Sequence, residues 1–253
     1  NSNQHKGLRM SSLSDLLPAG GGGKNVNFVA SGVLPNGQAV ALKSNGQVEA
    51  ITGTADNIPA GSEVIFNAGT TYYLSLSFDP NTANKLVVTY CDNSNSIYGT
   101  AVIGTLSGTS ISFGSEYVFN SGATESTTVS FDPNTAGKFV VAYKDSDNSN
   151  YGAAIVGTVS GTSISYGSET VFASASTSTP MISFDSNTAN KFVVAYSDAA
   201  NSFSGTIIVG TVSGTSLSFG SEVVFNAGVS GDTNVAFDPN TANKLVLVYQ
   251  DKA

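Results

Sequence analysis

The triplet Gly-Ser-Glu begins at Gly61, Gly114, Gly167 and Gly220, always 53 residues apart. The phrase FDPNTANK at 78–85 keeps the same step, returning nearly unchanged at 131–138, 184–191 and 237–244. A fixed period of this length marks one supersecondary unit built several times, each unit burying its apolar face against the next. Solenoids, arrays and propellers satisfy that condition, and the strand pattern inside a unit chooses among them.

The second repeat shows the pattern. TTVSFD at 127–132 alternates, KFVVAYKD at 138–145 is β-branched and aromatic, GAAIVGTVSG at 152–161 is apolar and small, and SISYGSETVF at 163–172 alternates again. Helical spacing is absent. In DPNTAGK, Pro133 sets a turn φ, Asp132 accepts backbone hydrogen bonds, and Asn134 or Gly137 tolerates positive φ, so the phrase is a hairpin loop. VSGTS joins the third and fourth strands. Four strands per repeat predict an all-β fold of propeller blades. Complete blades fall at 71–119, 124–172 and 177–225. GQAVALKSNGQVEAI at 37–51 aligns without a gap to GTAVIGTLSGTSISF at 99–113, while 234–251 supplies only first and second strands. The two ends are therefore expected to share a composite fourth blade that closes the ring, if the chain ends at 253. Further blades beyond Ala253, or an open stack with bare strand edges, are the alternatives.

The expected organisation is a flexible tail with a Gly-rich linker at 1–24, a β-rich segment at 25–60 and the repeats at 61–253. MSSLSDLL at 10–17 reads either as a short amphipathic docking helix carrying Leu13, Leu16 and Leu17 on one side or as an unstructured tail. The chain begins at Asn1, and residues 1–9 read as a processing remnant ahead of Met10.

Blade geometry puts the loops between strands one and two, and three and four, on one face. The loops between strands two and three and the inter-blade links share the opposite rim. The first set hardly changes between repeats; the second carries all the divergence. Its candidate ligand-binding residues are Tyr72, Tyr73, Asn93, Asn95, Tyr98, Glu125, Asp145, Asp147, Tyr151, Asp198, Phe203 and Asp232. Aromatic rings beside Asn and Asp suit sugar, with a flat face for stacking and polar groups for hydroxyls. Neutral drift of solvent-exposed loops gives the same divergence without a ligand.

Charged residues are only 11% of the chain, against roughly 25% in an average protein, so Ser, Thr, Asn and Gly must cover the surface. A net charge of −8 with scattered Lys and Arg argues against nucleic acid. No apolar run approaches the roughly 20 residues of a membrane-spanning helix. His5, the sole histidine, lies in the tail, which excludes a histidine-based triad or zinc site within the repeats. Cys91, the sole cysteine, is matched by Lys144, Ser197 and Gln250 in the other repeats, so no thiol chemistry is expected. GGGGK at 20–24 lacks phosphate-loop spacing. DSDNSNYG at 145–152 has alternate oxygen ligands but not the Gly and distal Glu of a calcium loop. Asp145 with Glu125 is the one carboxylate pair open to glycosidase chemistry. The expectation is a non-enzyme without cofactor or metal.

The stretch LLPAGGGGKNVNFVASGVLPNGQAVALKSNGQVEAI at 16–51 resembles the N-terminal segment of virion structural proteins from tailed, often marine, bacteriophages. The GSEVVFN, FDPNTANK and GTVSGTS units resemble the tandem propeller-like repeats of such phage appendage proteins. The resemblance implies a virion fibre, spike or capsid decoration, docked on other virion proteins through its N-terminal segment and homo-oligomeric on the particle. Its repeats would meet a host-surface polysaccharide. A secreted or cell-surface adhesin or lectin-like module, and a purely architectural subunit, are the competing readings.

Overall fold

The computed structural model describes residues 29–30, 40–42, 47–50 and 61–252. The docking residues Leu13, Leu16 and Leu17 and the Gly-rich linker lie outside them. The chain divides into two units, Asn1–Pro59 and Ala60–Ala253.

In the first unit, β1 (Val29–Ala30), β2 (Val40–Leu42) and β3 (Gln47–Ala50) form a sheet in the order β1-β3-β2. β2 and β3 pair antiparallel, as expected of strands within 37–51, but in a different register. Alignment to the second unit places Leu42 opposite Ile51, whereas Leu42 faces Val48. The second edge of β3 is taken by β1 in parallel pairing, which no blade contains. An odd slip of this kind exchanges the two faces of a strand.

The second unit is all β apart from two 3-10 turns, and its strands form one antiparallel sheet. They are β4 (Thr71–Phe78), β5 (Lys85–Asp92), β6 (Tyr98–Ser107), β7 (Ser110–Phe131), β8 (Lys138–Asp145), β9 (Tyr151–Ser160) and β10 (Ser163–Tyr166). There follow β11 (Thr170–Phe184), β12 (Lys191–Asp198), β13 (Ser204–Ser213), β14 (Ser216–Phe219), β15 (Val223–Phe237) and β16 (Leu245–Asp251). The four-strand meander predicted for each repeat is present, with one correction: the outer strand of a blade does not stop. β7 pairs with β6 as far as Ala123 and with β8 from Thr124 onward, and β11 and β15 join their blades in the same way. Register shifts at Glu125/Thr128, Ser178/Met181 and Gly231/Asn234 bend each strand inward, as β-bulges do.

Blade packs on blade. Val129, Phe131, Phe139 and Tyr143 of one blade cover Val87, Ala101 and Ile103 of the blade before it. One step on, Ile182, Phe184, Phe192 and Val194 cover Val140, Ala142, Ala154 and Val156. The second strand of a blade is enclosed on both sides, which explains why KFVVAYKD is an apolar run rather than an alternation. Glycine is required where strands three and two cross under a ring. A Cβ on Gly157 would fall 2.1 Å from the Phe139 ring, and one on Gly210 would fall 2.1 Å from Phe192.

The sheet is not closed. β16 ends it at one side and β4 at the other, so closure within one chain, expected from the composite blade, does not occur in the described sheet.

Candidate functional site

The two faces of the sheet do different work. On the invariant face, each Asp of FDPNTANK holds its own loop: Asp79, Asp132, Asp185 and Asp238 accept from the backbone N–H two residues on at 2.9 Å. The second oxygen of Asp79 and that of Asp185 reach the next blade, whereas that of Asp132 is buried without a hydrogen-bond partner. Asp79 accepts from Gly137 N–H at 2.9 Å and Asp185 from Asn243 N–H at 2.8 Å. Gly137 and Asn243 have φ of 69° and 59°, the left-handed conformation that aims these N–H groups. Asn81 and Asn187 donate to the carbonyls of Asp132 and Asp238, and Lys85 and Lys138 donate to the Gly161 and Gly214 carbonyls one blade along. The repeated phrase is thus a hairpin loop and also a stitch between blades. Burial works against the Asp185 charge, but the Asn243 and Asn187 N–H groups outweigh it and hold the carboxyl below its ordinary range.

Within each blade, a buried tyrosine of strand two donates to the Glu of Gly-Ser-Glu: Tyr90 to Glu116 at 2.8 Å, Tyr143 to Glu169 at 2.6 Å and Tyr196 to Glu222 at 2.7 Å. Burial, then the carboxylate beside it, pushes each phenol well above its ordinary value. The ring above each tyrosine comes from the outer strand of the preceding blade. Phe119 lies 5.1 Å from Tyr143, Phe172 5.2 Å from Tyr196 and Phe225 5.1 Å from Tyr249. Cys91 is fully buried, and burial with the Glu125 charge pushes its thiol up to about 12, so it is inert.

The variable rim gathers the residues expected of it, in two groups. Several are committed to structure. Asp145 and Asp198 are buried and cap their loops, accepting from Asn148 and Ala200 N–H. Asp147 accepts from Ala123 N–H at 3.0 Å across to the neighbouring link, and Glu125 is ion-paired with Lys144 at 2.9 Å. Tyr98 and Tyr151 are half-buried in the paired ends of β6 and β9. The others face solvent: Tyr72 and Tyr73 with ring centroids 6.5 Å apart, Asn93, Asn95, Phe203 and Asp232. The carboxylate pair Asp145 and Glu125 is therefore divided between a cap and an ion pair. Among the described residues, no three His, Cys, Asp or Glu side chains converge as metal ligands would.

Ile97 belongs to this rim as well, one period before Asn150 and two before Phe203, although it was not among the residues expected there. Ile97, Asn150 and Phe203 hold one position in three blades, with φ of 61°, 62° and 61° after Ser96, Ser149 and Ser202 at 55°, 57° and 54°. Two left-handed residues in succession are normally Asn-Gly, and a branched side chain there costs about 1–2 kcal/mol. The inner bulges are alike: Tyr73, Ser126, Thr179 and Asp232 all have positive φ. The hydroxyls of Thr127 and Thr233 fix two of them by donating to the carbonyls of Tyr73 and Thr179. Backbone held in strained geometry while the side chain changes from blade to blade suits a display surface.

No family model matches the chain, and no curated protein matches it. Among solved structures it is similar to Sqt1 of Saccharomyces cerevisiae, at 15% identity and a TM-score of 0.51, over 75% of this chain and 45% of that one. Sqt1 of Chaetomium thermophilum overlays at 11% identity with a TM-score of 0.48, over 68% and 40% of the respective chains. The chain thus spans less than half the length of these relatives in structure. The likeness to the yeast protein shows a β-propeller-like fold.

Proposed function

We propose that this chain is a non-enzymatic display protein of a bacteriophage particle, a fibre, spike or capsid decoration whose propeller rim adsorbs to host-surface polysaccharide. The observation that carries the recognition role is the confinement of repeat-to-repeat change to one rim. There Tyr72, Tyr73, Ile97 and Phe203 stand exposed on a fixed backbone, while on the opposite face the four hairpin loops keep nearly one sequence and the same internal Asp-to-backbone hydrogen bond. Exposed aromatic faces beside Asn93, Asn95 and Asp232 offer the stacking and hydroxyl contacts that a glycan needs. The virion setting rests on the resemblance of residues 16–51 and of the repeats to phage appendage proteins, with residues 1–36 as the attachment segment. The finer architecture in this reading is a ring whose fourth blade is composite, begun by β15 and β16 and finished by N-terminal sequence.

The test is saturable binding of labelled full-length chain to intact bacterial cells and to arrayed bacterial polysaccharides. Tyr73→Ala combined with Phe203→Ala should abolish binding without changing the circular dichroism. A folded, monodisperse protein that binds neither cells nor glycans sinks the adsorption role and leaves an architectural subunit. Co-sedimentation separates the settings, because a virion protein follows particles and an adhesin follows cell envelopes.

A further inference from the structure

The blades stack at three joints, β7 on β4, β11 on β7 and β15 on β11. Apolar packing fills all three. The polar bonds are not shared so evenly. At the first and third joints the same three recur. Thr127 and Thr233 donate from their hydroxyls to the carbonyls of Tyr73 and Thr179, at 2.6 and 3.0 Å. Asn81 and Asn187 donate to the carbonyls of Asp132 and Asp238, both at 3.1 Å. The second oxygens of Asp79 and Asp185 accept from the N–H groups of Gly137 and Asn243.

Among the described residues, the second joint has none of the three. Pro180 stands one period from Thr127 and from Thr233, and a proline has no hydroxyl to give to the Ser126 carbonyl. Asn134 donates only its backbone N–H, back to Asp132. The second oxygen of Asp132 is buried without a partner. Two further ties are lost by substitution. Asn120 and Asn226 hold the hydroxyls of Thr124 and Ser230 at 3.0 Å where the chain crosses the first and third joints, whereas Ala173 leaves the Thr177 hydroxyl buried and unpartnered. Tyr166 donates to the Tyr117 carbonyl across the first joint, and Phe219 takes its place at the second. What remains is one arm, Lys138 reaching the Gly214 carbonyl.

We propose that the second joint is a hinge. The blades that begin with β4 and β7 move as one body, and those that begin with β11 and β15 as another. Apolar contact is non-directional, so it holds two blades together without fixing the angle between them. Hydrogen bonds from hydroxyl, amide and backbone N–H groups do fix that angle, and only the first and third joints have them. The Lys138 arm is a flexible four-carbon stem, which follows a tilt that a carboxylate locked on a backbone N–H would resist. A buried oxygen without a partner also costs free energy, and a tilt that admits water to Asp132 and Thr177 relieves that cost. On the rim, the second joint lies between the loops that carry Asn150 and Phe203, so the hinge angle sets the spacing of those two loops.

Iodoacetamide labelling of buried thiols in the full-length chain, read by mass without denaturant, tests this. Cys91 faces the first joint, where the charge of Glu125 in the next blade reaches it, and Ala142 and Ala154 face the second. All three are fully buried. Ala142→Cys in a Cys91→Ser chain should label roughly a hundredfold faster than the native thiol, the factor for three missing hydrogen bonds at about fivefold each. Ala154→Cys is a second reporter on the same joint. Adding Pro180→Thr, which supplies the missing hydroxyl, should slow labelling at the second joint about fivefold. Pro180→Val, of the same shape without the hydroxyl, should leave it unchanged. Conversely, Thr127→Val should speed labelling of Cys91 by about the same factor. Equal labelling at the two joints would overturn the hinge. So would labelling at Ala142→Cys with the urea dependence of global unfolding, or slowing by Pro180→Val as large as that by Pro180→Thr.

Discussion

At Tyr143 a fully buried ring ends in a hydroxyl 2.6 Å from Glu169, a carboxylate that reaches solvent. Two contributions meet there, burial of the aromatic ring and one hydrogen bond to a charge. Removing only the second, as in Tyr143→Phe, leaves Glu169 to water and should cost about 1 kcal/mol in urea-induced unfolding. The phenol is held above its unfolded value of about 10, so the stability it lends is complete below that pH and is lost as pH rises through the folded value. Tyr90 and Tyr196 are shifted in the same direction for the same reasons. The three phenols should therefore ionise together with unfolding, as one cooperative step in an ultraviolet titration of phenolate. The sequence shows the Tyr column and the Gly-Ser-Glu column but nothing of their union, because partners 26 residues apart meet only when strand four crosses strand two. It likewise marks Tyr98 and Tyr151 for the rim and passes over Ile97, whose exposure follows from a left-handed backbone that its side chain disfavours.

At the level of the element, the hairpin loops were legible as loops and illegible as joints. Pro, Asp and Asn at fixed places announce a turn, while the second oxygen of the Asp reports only to a residue 58 positions on. Asp185→Ala removes both the loop bond and the stitch, and should cost about 2–3 kcal/mol, the loss expected for hydrogen bonds to a charged acceptor. Its folded pKa lies below the unfolded value of about 3.9, so this contribution is present above about pH 4 and disappears as pH falls through the folded value. Stability curves of wild type and variant, measured by urea midpoints from neutral to acid pH, should converge toward the acid end. The fusion of outer and inner strands into β7, β11 and β15 was illegible for a related reason. Links such as NSGATES look like loops because they are polar and small, yet a bulge carries them through the bend with the ladder kept on both sides.

For the whole molecule, the period prescribes blades but not their number per ring, since every blade–blade step is the same whether four or eight complete the circle. The gapless match of 37–51 to 99–113 points to a shared blade and is silent on whether one chain or two share it. The register of β2 against β3 departs from that match, and β3 pairs on its other edge with β1, a strand with no counterpart in the repeats.

The hydrogen bonds between blades recur at offsets of 51, 54, 58 and 76 residues. Each offset is measured across one period, so removal or duplication of 53 consecutive residues within the repeats brings residues of the same kinds back to these offsets at the splice. Unequal recombination between such nearly identical stretches thus changes the number of blades by whole units and reshuffles which loops stand side by side on the rim. The sameness that makes the stitched face monotonous makes the opposite face cheap to vary.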